Sequence, residues 1–292
     1  MVIAPQWVLT AAHVVADATE NSNVRFETDP DPEDNDELPL SGLFGILEIH
    51  IHENYDNGMG PAGGFDIALM KLDAEISHYS PYNLFRGGQE VGRQGTPVGF
   101  GATGDGNTGY DPQTGAFFRL AGDNMMDSLG SDPRLVPEFF DRPELGLTAE
   151  QIAAQYLISD FDDPATQSDD PNTSGINEAH TNDGLNPLGD AGPLDLEASV
   201  APGDSGGPMF FLVNGEWQIA GINNFIHGFD PPIGDGTDTA NYSDLAGYLR
   251  ISQFQGWIDG ITGIPEPGSV AMMFVGAFAT LARRRRHRRR AG

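Results

Sequence analysis

Three short stretches of the sequence carry side chains that could carry out hydrolysis together. The first is "APGDSGGPMFF" (201–211), in which glycines around Ser205 permit a tight turn and leave its hydroxyl open to a substrate. A serine hydroxyl is a poor nucleophile unless a base takes its proton and hydrogen-bond donors stabilise the resulting oxyanion. Gly203 has no side chain to obstruct a carbonyl oxygen, so its N–H and that of Ser205 can point into one hole.

The other two stretches supply a base and a group to orient it. "LTAAHVV" places His13 directly after an apolar run, among small residues that allow close approach. "GGFDIALMKL" (63–72) places Asp66 at the head of an apolar run. A buried carboxylate needs a partner, and a histidine that acts as a base needs an orienting group. His13, Asp66 and Ser205 therefore complement one another, although each alone could be a core, capping or turn residue.

Two further patterns could bind metal but have simpler explanations. His50 and His52 stand two apart in "EIHIHE", as zinc ligands can, but no third ligand is evident, which favours surface or packing roles. "DGNTGYDPQTG" (105–115) is rich in Asp, Asn and Gly but lacks EF-hand spacing, and this favours a turn-rich loop.

The elements that must position these residues are mostly short strands. "TAEQIAAQYLI" (148–158) predicts a helix with Thr148 as its N-cap, and apolar residues at helical spacing over 251–261 predict a short C-terminal helix. Elsewhere, apolar runs bounded by Gly, Pro, Asn and Asp indicate strands. These runs are "QWVLTAAH", "LFGILEIHI", "FDIALMKL", "GTPVGFG", "GGPMFFLV", "EWQIAGINNFI" and "NYSDLAGYL".

The charge balance limits the classes of partner. The 292 residues include 43 acidic and 15 basic side chains, a net charge of −28, and seven of the basic ones lie in the last ten positions. A body this acidic repels nucleic-acid phosphates, which argues against DNA or RNA as a partner. The sequence has no cysteine, so disulfides cannot stabilise it outside the cell.

The motifs "TAAH", "DIAL" and "GDSGGP", in the order His, Asp, Ser, resemble the chymotrypsin/trypsin-like serine endopeptidases. "GFG" (99–101), "FRLAGDNMMD" (118–127) and "NYSDLAGYLRISQFQGWI" (241–258) are also similar to that family. The resemblance implies that Ser205 is the nucleophile, His13 the general base and acid, and Asp66 the orienter of the imidazole. It implies that Gly203 and Ser205 supply the oxyanion-hole amides, and that proteins or peptides are the substrates.

The fold implied by the resemblance is all-β, with two antiparallel six-stranded barrels and a short C-terminal helix. Residues 1–100 would form the first barrel, with His13 and Asp66, and residues 101–262 the second, with Ser205. Asp66 and Ser205 are farther apart than is usual in the family, which indicates an acidic insertion around 130–185.

The family also supplies an expectation for cleavage specificity. The residue six positions before the serine forms the floor of the specificity pocket, and here it is Ser199. No carboxylate stands there to pair with a cationic side chain. Aligning "GINNFI" and "ANY" with the pocket walls places Ile226 and Ala240 where glycines would leave a deep slot. The expected preference is therefore for small or medium apolar residues.

The C-terminal residues 263–292 form a separate module. "PEP" (265–267), an uncharged and mostly apolar run (269–282) and "RRRRHRRR" (283–290) follow one another. The apolar run is shorter than the roughly 20 residues of a comfortable transmembrane helix, and the arginines would stay on the cytoplasmic side. The order resembles the PEP-CTERM sorting signal of Gram-negative bacteria, which an exosortase recognises and removes at the inner membrane. It implies export to the cell envelope or medium.

Two expectations concern ions and the start of the chain. No cofactor is required, but the acidic loop at 29–37 could bind structural calcium through Asp29, Asp31, Glu33 and Asp36. Family members carry at least one strand before the stretch that begins here, and many carry a freed N-terminal amine that pairs with the residue matching Asp204. We therefore expect that Met1 is a truncated or misassigned start and that the first barrel lacks its N-terminal strand or strands.

A second functional class stays open at this point. The same scaffold could serve as a surface-displayed binding protein that is catalytically weak or inactive, because fold alone does not decide function. The presence of all three side chains favours the enzyme. The physiological substrate and the oligomeric state are not encoded in any pattern that we recognise.

Overall fold

The computed structural model describes residues 1–19, 22–26, 42–77, 79–112, 119–133, 135–162, 194–227, 240–242 and 244–264. The calcium loop predicted at 29–37, residues 163–185 of the predicted acidic insertion and the sorting tail from 265 onward lie outside these residues. Contacts divide the chain into two units, Met1–Gln253 and Phe254–Gly292.

Strands dominate the first unit. In the described residues they are β1 Val2–Ala4, β2 Trp7–Thr10, β3 Asn23–Arg25, β4 Leu43–Ile51, β5 Ala68–Leu72, β6 Asn83–Leu84, β7 Gln94–Gly99, β8 Thr103–Asp105, β9 Gly109–Asp111, β10 Leu120–Ala121, β11 Asn124–Met125, β12 Ser128–Leu129, β13 Tyr156–Asp160, β14 Pro208–Val213, β15 Glu216–His227 and β16 Leu245–Arg250. The prediction of an all-β protein is confirmed.

The first sheet contains β1 to β5 in the order β1-β2-β5-β4-β3, with every neighbouring pair antiparallel. Its apolar side chains pack into a core cluster that includes Val8, Ala68 and Leu72. Burial of such side chains is the main favourable contribution to folding. This sheet positions His13 and Asp66, which follow β2 and precede β5.

The second sheet contains nine strands. Seven follow the path β10-β7-β14-β15-β16-β13-β12, and the other two lie off it, with β11 paired to β7 and β6 paired in parallel to β15. Its core cluster includes Met209, Phe211 and Tyr248. The expected six strands are exceeded because short two-residue strands extend its edges. β7 lies in this sheet although it precedes residue 100, where the boundary between the barrels was predicted. The division into two barrels stays a prediction.

Helices are short and few in the described residues: α1 Ala12–Val15, α2 Ala149–Ala153 and α3 Gln255–Thr262, with 3₁₀ turns at Gly60–Gly63, Val136–Glu138, Pro143–Leu145 and Ile251–Gln253. Thr148 caps α2 in a capping box with Gln151, as the sequence predicted. The predicted helix over 148–158 is nevertheless wrong beyond Ala153, because Tyr156–Asp160 pair with β16 instead.

The second unit contains α3, the C-terminal helix that the apolar spacing predicted. The helix ends at Gly263, which has a positive φ of 65° and donates its N–H to Asp259 O at 2.9 Å. This is the usual way in which a glycine ends a helix, because it adopts left-handed backbone without steric cost.

Candidate active site

Strand pairing brings His13 and Asp66 together. Thr10 at the end of β2 pairs with Ala68 at the start of β5. His13 lies three residues after the first of these positions and Asp66 two residues before the second. The end of one strand therefore presents the histidine beside the aspartate that leads into the other.

The aspartate holds the histidine through both of its oxygens. His13 Nδ1 lies 2.6 Å from Asp66 Oδ2, and the His13 backbone N–H donates to Oδ1 at 2.8 Å. Asp66 is fully buried, whereas the His13 side chain keeps 28% of its surface exposed. Because a carboxylate only accepts, Nδ1 carries the proton and Nε2 is left with a free lone pair. The imidazole is thus oriented with a basic nitrogen available.

Two tyrosines near Asp66 stay protonated at neutral pH. Burial, reinforced by the negative charges of Asp66 and Asp56, raises the pKa of the Tyr55 hydroxyl to about 12. Burial, with the charges of Asp66 and Tyr55, also raises the pKa of Tyr156 well above its usual range. Neither tyrosine hydroxyl therefore adds a negative charge beside Asp66 at neutral pH.

The backbone immediately before Asp66 is unusual. Gly64 and Phe65 have positive φ values of 73° and 60°. Such a conformation is costly for a residue with a side chain and needs support from its surroundings. The Phe65 N–H donates to Gln155 Oε1 at 2.8 Å, and its ring stacks on the His52 ring at 4.9 Å between centroids.

The loop that carries Ser205 is shaped by glycines. Gly203 and Gly206 have positive φ values of 100° and 78°. The N–H groups of Asp204, Gly206 and Gly207 donate to the carbonyls of Ala201, Asn223 and Asp204, respectively. Among the described residues, the N–H groups of Gly203 and Ser205 have no hydrogen-bond acceptor. These two amides are the pair named in the sequence prediction, and they are available to a ligand oxygen.

Asp204 ties this loop to the neighbouring backbone. Its Oδ1 accepts from Gly101 N at 2.6 Å and its Oδ2 from Ala201 N at 2.8 Å. Burial raises the pKa of the Asp204 carboxyl, and the two amide bonds oppose that rise. A Cβ on Gly99 would lie 1.8 Å from Asp204 Oδ1, so the carboxylate requires a glycine there. Asn223 Nδ2, which donates to Val98 O at 3.0 Å, supports the same turn.

Gly206 brings the serine loop against the histidine segment. A Cβ on Gly206 would lie 2.2 Å from Thr10 Oγ1 and 3.3 Å from the backbone N of Ala11. No hydrogen bond joins Ser205 Oγ to the His13 ring, although both residues are described. Catalytic contacts of this kind are often long until a substrate binds. Hydrogen bonds therefore join the first two predicted residues, and packing brings the loop of the third to their segment.

A cleft of about 620 Å³ opens beside the serine loop. Gly203, Ser205 and Thr10 lie along it together with apolar side chains such as Phe210 and Trp217. The cleft gives Ser205 access from solvent.

The three residues predicted to form the specificity pocket do not all line the same cavity. Ser199 and Ala240 line a cavity of about 280 Å³ that also includes Asp204, and Ser199 Oγ is buried without a partner. Ile226 is not among its lining residues, and it pairs across β15 and β16 with Ala246. Ala246, rather than Ala240, therefore stands opposite Ile226, because the strand paired with β15 starts at Leu245.

The histidine pair does not form a metal centre. His50 bonds the partly exposed Glu48 at 3.0 Å. His52 is buried against Phe65, and burial lowers its pKa. Within the described ranges no group of three His, Cys, Asp or Glu side chains is placed to hold a metal. The predicted calcium ligands lie outside those ranges.

Sequence reasoning missed the residues that support the site from a distance. Arg142, Gln155 and Tyr156 contact the loop before Asp66 although they are about 80 to 95 positions away. Asn223 supports the serine loop in the same way. None belongs to a local motif, so no signal in a single sequence could have identified them.

The mostly β-sheet fold is consistent with the chymotrypsin-like all-β fold. The trypsin family model matches residues 1–118, a range that includes His13 and Asp66. The model of the PEP-CTERM protein-sorting motif matches residues 263–286. These two matches support a trypsin-like serine protease, of which residues 1–118 match the family model, with a C-terminal PEP-CTERM sorting signal that indicates export. No curated protein matches the chain. Within the described residues, no helix has the length and apolarity needed to span a membrane.

Proposed function

We propose that the protein is an exported serine endopeptidase that cleaves peptide bonds through an acyl-enzyme. The observation that carries this proposal is the bond between His13 Nδ1 and the fully buried Asp66 at 2.6 Å. It leaves Nε2 as a base on a residue whose neighbours Thr10 and Ala11 lie against Gly206 of the serine loop. The two unpaired amides of Gly203 and Ser205 supply the complementary oxyanion site.

In the first half of the reaction, Ser205 Oγ attacks the substrate carbonyl carbon while its proton passes to His13 Nε2. The carbonyl oxygen becomes an oxyanion that accepts from the N–H groups of Gly203 and Ser205. Asp66 stabilises the imidazolium. The C–N bond then breaks, the imidazolium gives its proton to the leaving amine, and an ester on Ser205 remains.

Water completes the cycle. It attacks the ester carbonyl and gives a proton to His13 Nε2, and the same two amides hold the second oxyanion. Collapse breaks the bond to Ser205 Oγ, which takes back the proton. The products are a free carboxylate, a free amine and the original enzyme.

We propose further that the enzyme cleaves after small or medium apolar residues. Ser199 offers a hydroxyl and no carboxylate to a cationic side chain. Ala240, which lines the cavity together with Ser199, places a side chain where a glycine would leave a deep slot. A peptide library with arginine as the preferred residue would refute this specificity.

The sorting signal supports a proposal about processing. We propose that exosortase-type machinery removes the tail near Pro265–Pro267, so that the arginine block is absent from exported protein. Measurement of the intact mass of exported material tests this. A mass that retains residues 283–290 contradicts it.

A labelled fluorophosphonate tests the enzymatic proposal, because only an activated serine reacts. Wild-type protein should be labelled and should hydrolyse a peptide substrate, whereas Ser205→Ala should do neither while keeping its fold. Ser131→Ala, which changes a serine that lines neither the cleft nor the cavity of Ser199, is the matched control and should behave as wild type. Lack of labelling of folded wild-type protein would indicate an inactive binding protein instead.

A further inference from the structure

The segment 54–66 that leads into Asp66 has little regular structure of its own. It contains a 3₁₀ turn at Gly60–Gly63 and then two consecutive residues with positive φ, Gly64 and Phe65. Isolated left-handed residues persist only where their surroundings determine them. The position of the Asp66 carboxylate therefore depends on what holds this segment.

Arg142 bonds the segment at both ends. Its Nη1 donates to Gly63 O at 2.9 Å and its Nη2 to Asn54 O at 3.0 Å. Only 6% of the side chain is exposed, and its Nε donates to Glu144 Oε1 at 2.5 Å. A guanidinium is planar and its donors diverge in a fixed fork, so it fixes the distance between the two carbonyls that it joins. A lysine could reach only one of them in the same way.

Three further bonds reach the same segment from residues close to Arg142. The Phe140 N–H donates to Ala62 O at 3.0 Å, and the Tyr156 hydroxyl donates to Pro61 O at 2.8 Å. Gln155 Oε1 accepts from the N–H of Phe65, the residue immediately before Asp66. The fit is close, because a Cβ on Gly64 would lie 2.9 Å from the Gln155 side chain.

We infer that Arg142 and Gln155 are positioning residues for the reaction, an inference that rests on the proposed function. They act through the backbone of 54–66, which they hold so that the Asp66 carboxylate meets both His13 Nδ1 and the His13 N–H. Neither touches the substrate or the reacting atoms. Loss of either should therefore loosen the Asp66–His13 pair and leave the substrate cleft unchanged.

The experiment compares folded variants of the full chain. Arg142→Met and Gln155→Met should lower kcat by about 10- to 100-fold, since small misplacements of a catalytic group have effects of this size. KM should stay within about twofold, because the loss falls on the transition state rather than on substrate binding. Arg142→Lys should fall between wild type and Arg142→Met. Glu144→Gln is the matched control: it removes the ion pair, leaves both carbonyl bonds, and should keep wild-type kcat.

A spectroscopic readout makes the test independent of turnover. The proton between His13 Nδ1 and Asp66 should give a strongly deshielded NMR signal in wild type and a weakened or shifted one in Arg142→Met and Gln155→Met. Circular dichroism and thermal unfolding establish that each variant is folded. If Arg142→Met does not fold, Arg142→Lys and Gln155→Met decide the question.

Folded variants with wild-type kcat and an unchanged proton signal would overturn the inference. The same kcat loss in Glu144→Gln would also overturn it, because the ion pair would then be responsible. Failure of the wild type to react with the fluorophosphonate refutes the proposed function separately. The proton signal would still show whether Arg142 and Gln155 hold the pair.

Discussion

The two loops that meet at the site are held in opposite ways. The Ser205 loop is fixed mainly through backbone groups: glycines with positive φ, three amide–carbonyl bonds, one of them to Asn223, and a carboxylate bonded to the amides of Ala201 and Gly101. The segment before Asp66 is fixed by side chains from residues 142–156 that donate to or accept from its backbone. The Ser205 loop should therefore be sensitive to substitutions that add atoms, and the segment before Asp66 to substitutions that remove atoms.

The largest effect should come from a change to Asp66, the residue that the segment 54–66 presents to His13. Asp66→Asn keeps the shape of the side chain, but its amide would donate to His13 Nδ1 and leave the proton on Nε2. With the wrong tautomer, kcat should fall by about 10⁴-fold. Steady-state kinetics measures this, and thermal unfolding checks that the variant is folded. Retention of a tenth of wild-type activity would mean that Asp66 does not orient the base.

An added methyl group should be the next most damaging change. Gly206→Ala places a Cβ 2.2 Å from Thr10 Oγ1 at a φ of 78°. We expect kcat to fall by about 10²-fold through displacement of Ser205, and the free energy of unfolding to fall by at least about 1–3 kcal/mol. Gly215→Ala is the matched control, because Gly215 has a similar φ of 85° but no atom within 4 Å of the added Cβ. Gly215→Ala should lose stability without losing kcat. Equal kcat losses in the two variants would contradict the expected displacement of Ser205.

Removal of one atom from the support of the Asp66 segment should have a smaller effect. Tyr156→Phe deletes the hydroxyl that donates to Pro61 O, at a cost of about 1 kcal/mol in the free energy of unfolding. It should also lower kcat by a few fold. Tyr248→Phe, which deletes a hydroxyl bonded to Ser159 in the second sheet, should lose similar stability without a change in kcat. Urea unfolding and kinetics separate the two, and an unaltered kcat in Tyr156→Phe argues against support by this bond.

The smallest effect concerns pH and the serine loop. Burial raises the pKa of Asp204 in the folded protein above its usual 3.8. The folded state therefore binds a proton at Asp204 more readily than the unfolded state, and the contribution of this group to stability falls as pH rises from 3.8 through its raised pKa. The stability of wild type relative to Asp204→Asn should decrease over that window and then level off. Urea unfolding at a series of pH values measures it, and a relative stability that rises with pH would refute the direction.

The contrast between the loops also explains which parts of the site the sequence predicts. Gly203, Ser205 and Gly206 act within a few residues of one another, so a short motif records the geometry. Arg142 and Gln155 act on a segment about 80 to 90 positions away, and nothing near them in the sequence indicates this. Their roles follow only from the folded chain.

Tertiary pairing likewise decides where local prediction fails. Thr148 is the N-cap that its position predicted, yet the helix ends at Ala153 because Tyr156, Leu157 and Ile158 gain partners in β16 and full burial. The intrinsic helix propensity of these residues is a weak effect compared with such strand pairing. The alignment that placed Ile226 and Ala240 in the pocket walls could not indicate that Ile226 pairs with Ala246, because the register of β15 and β16 depends on pairing, not on the spacing of short motifs.

The Ser205 loop is held by residues that are far from it in the sequence, and this affects when the site forms during synthesis. Asp204 needs Gly101, 103 positions earlier, and Asn223 reaches back 125 positions to Val98. Contacts between distant residues close slowly and late in folding. His13 and Asp66 leave the ribosome long before Ser205 and Asn223, so in the mechanism that we propose a partly made chain holds the base without the nucleophile. The order of residues therefore delays proteolytic activity until nearly the whole domain has emerged and folded.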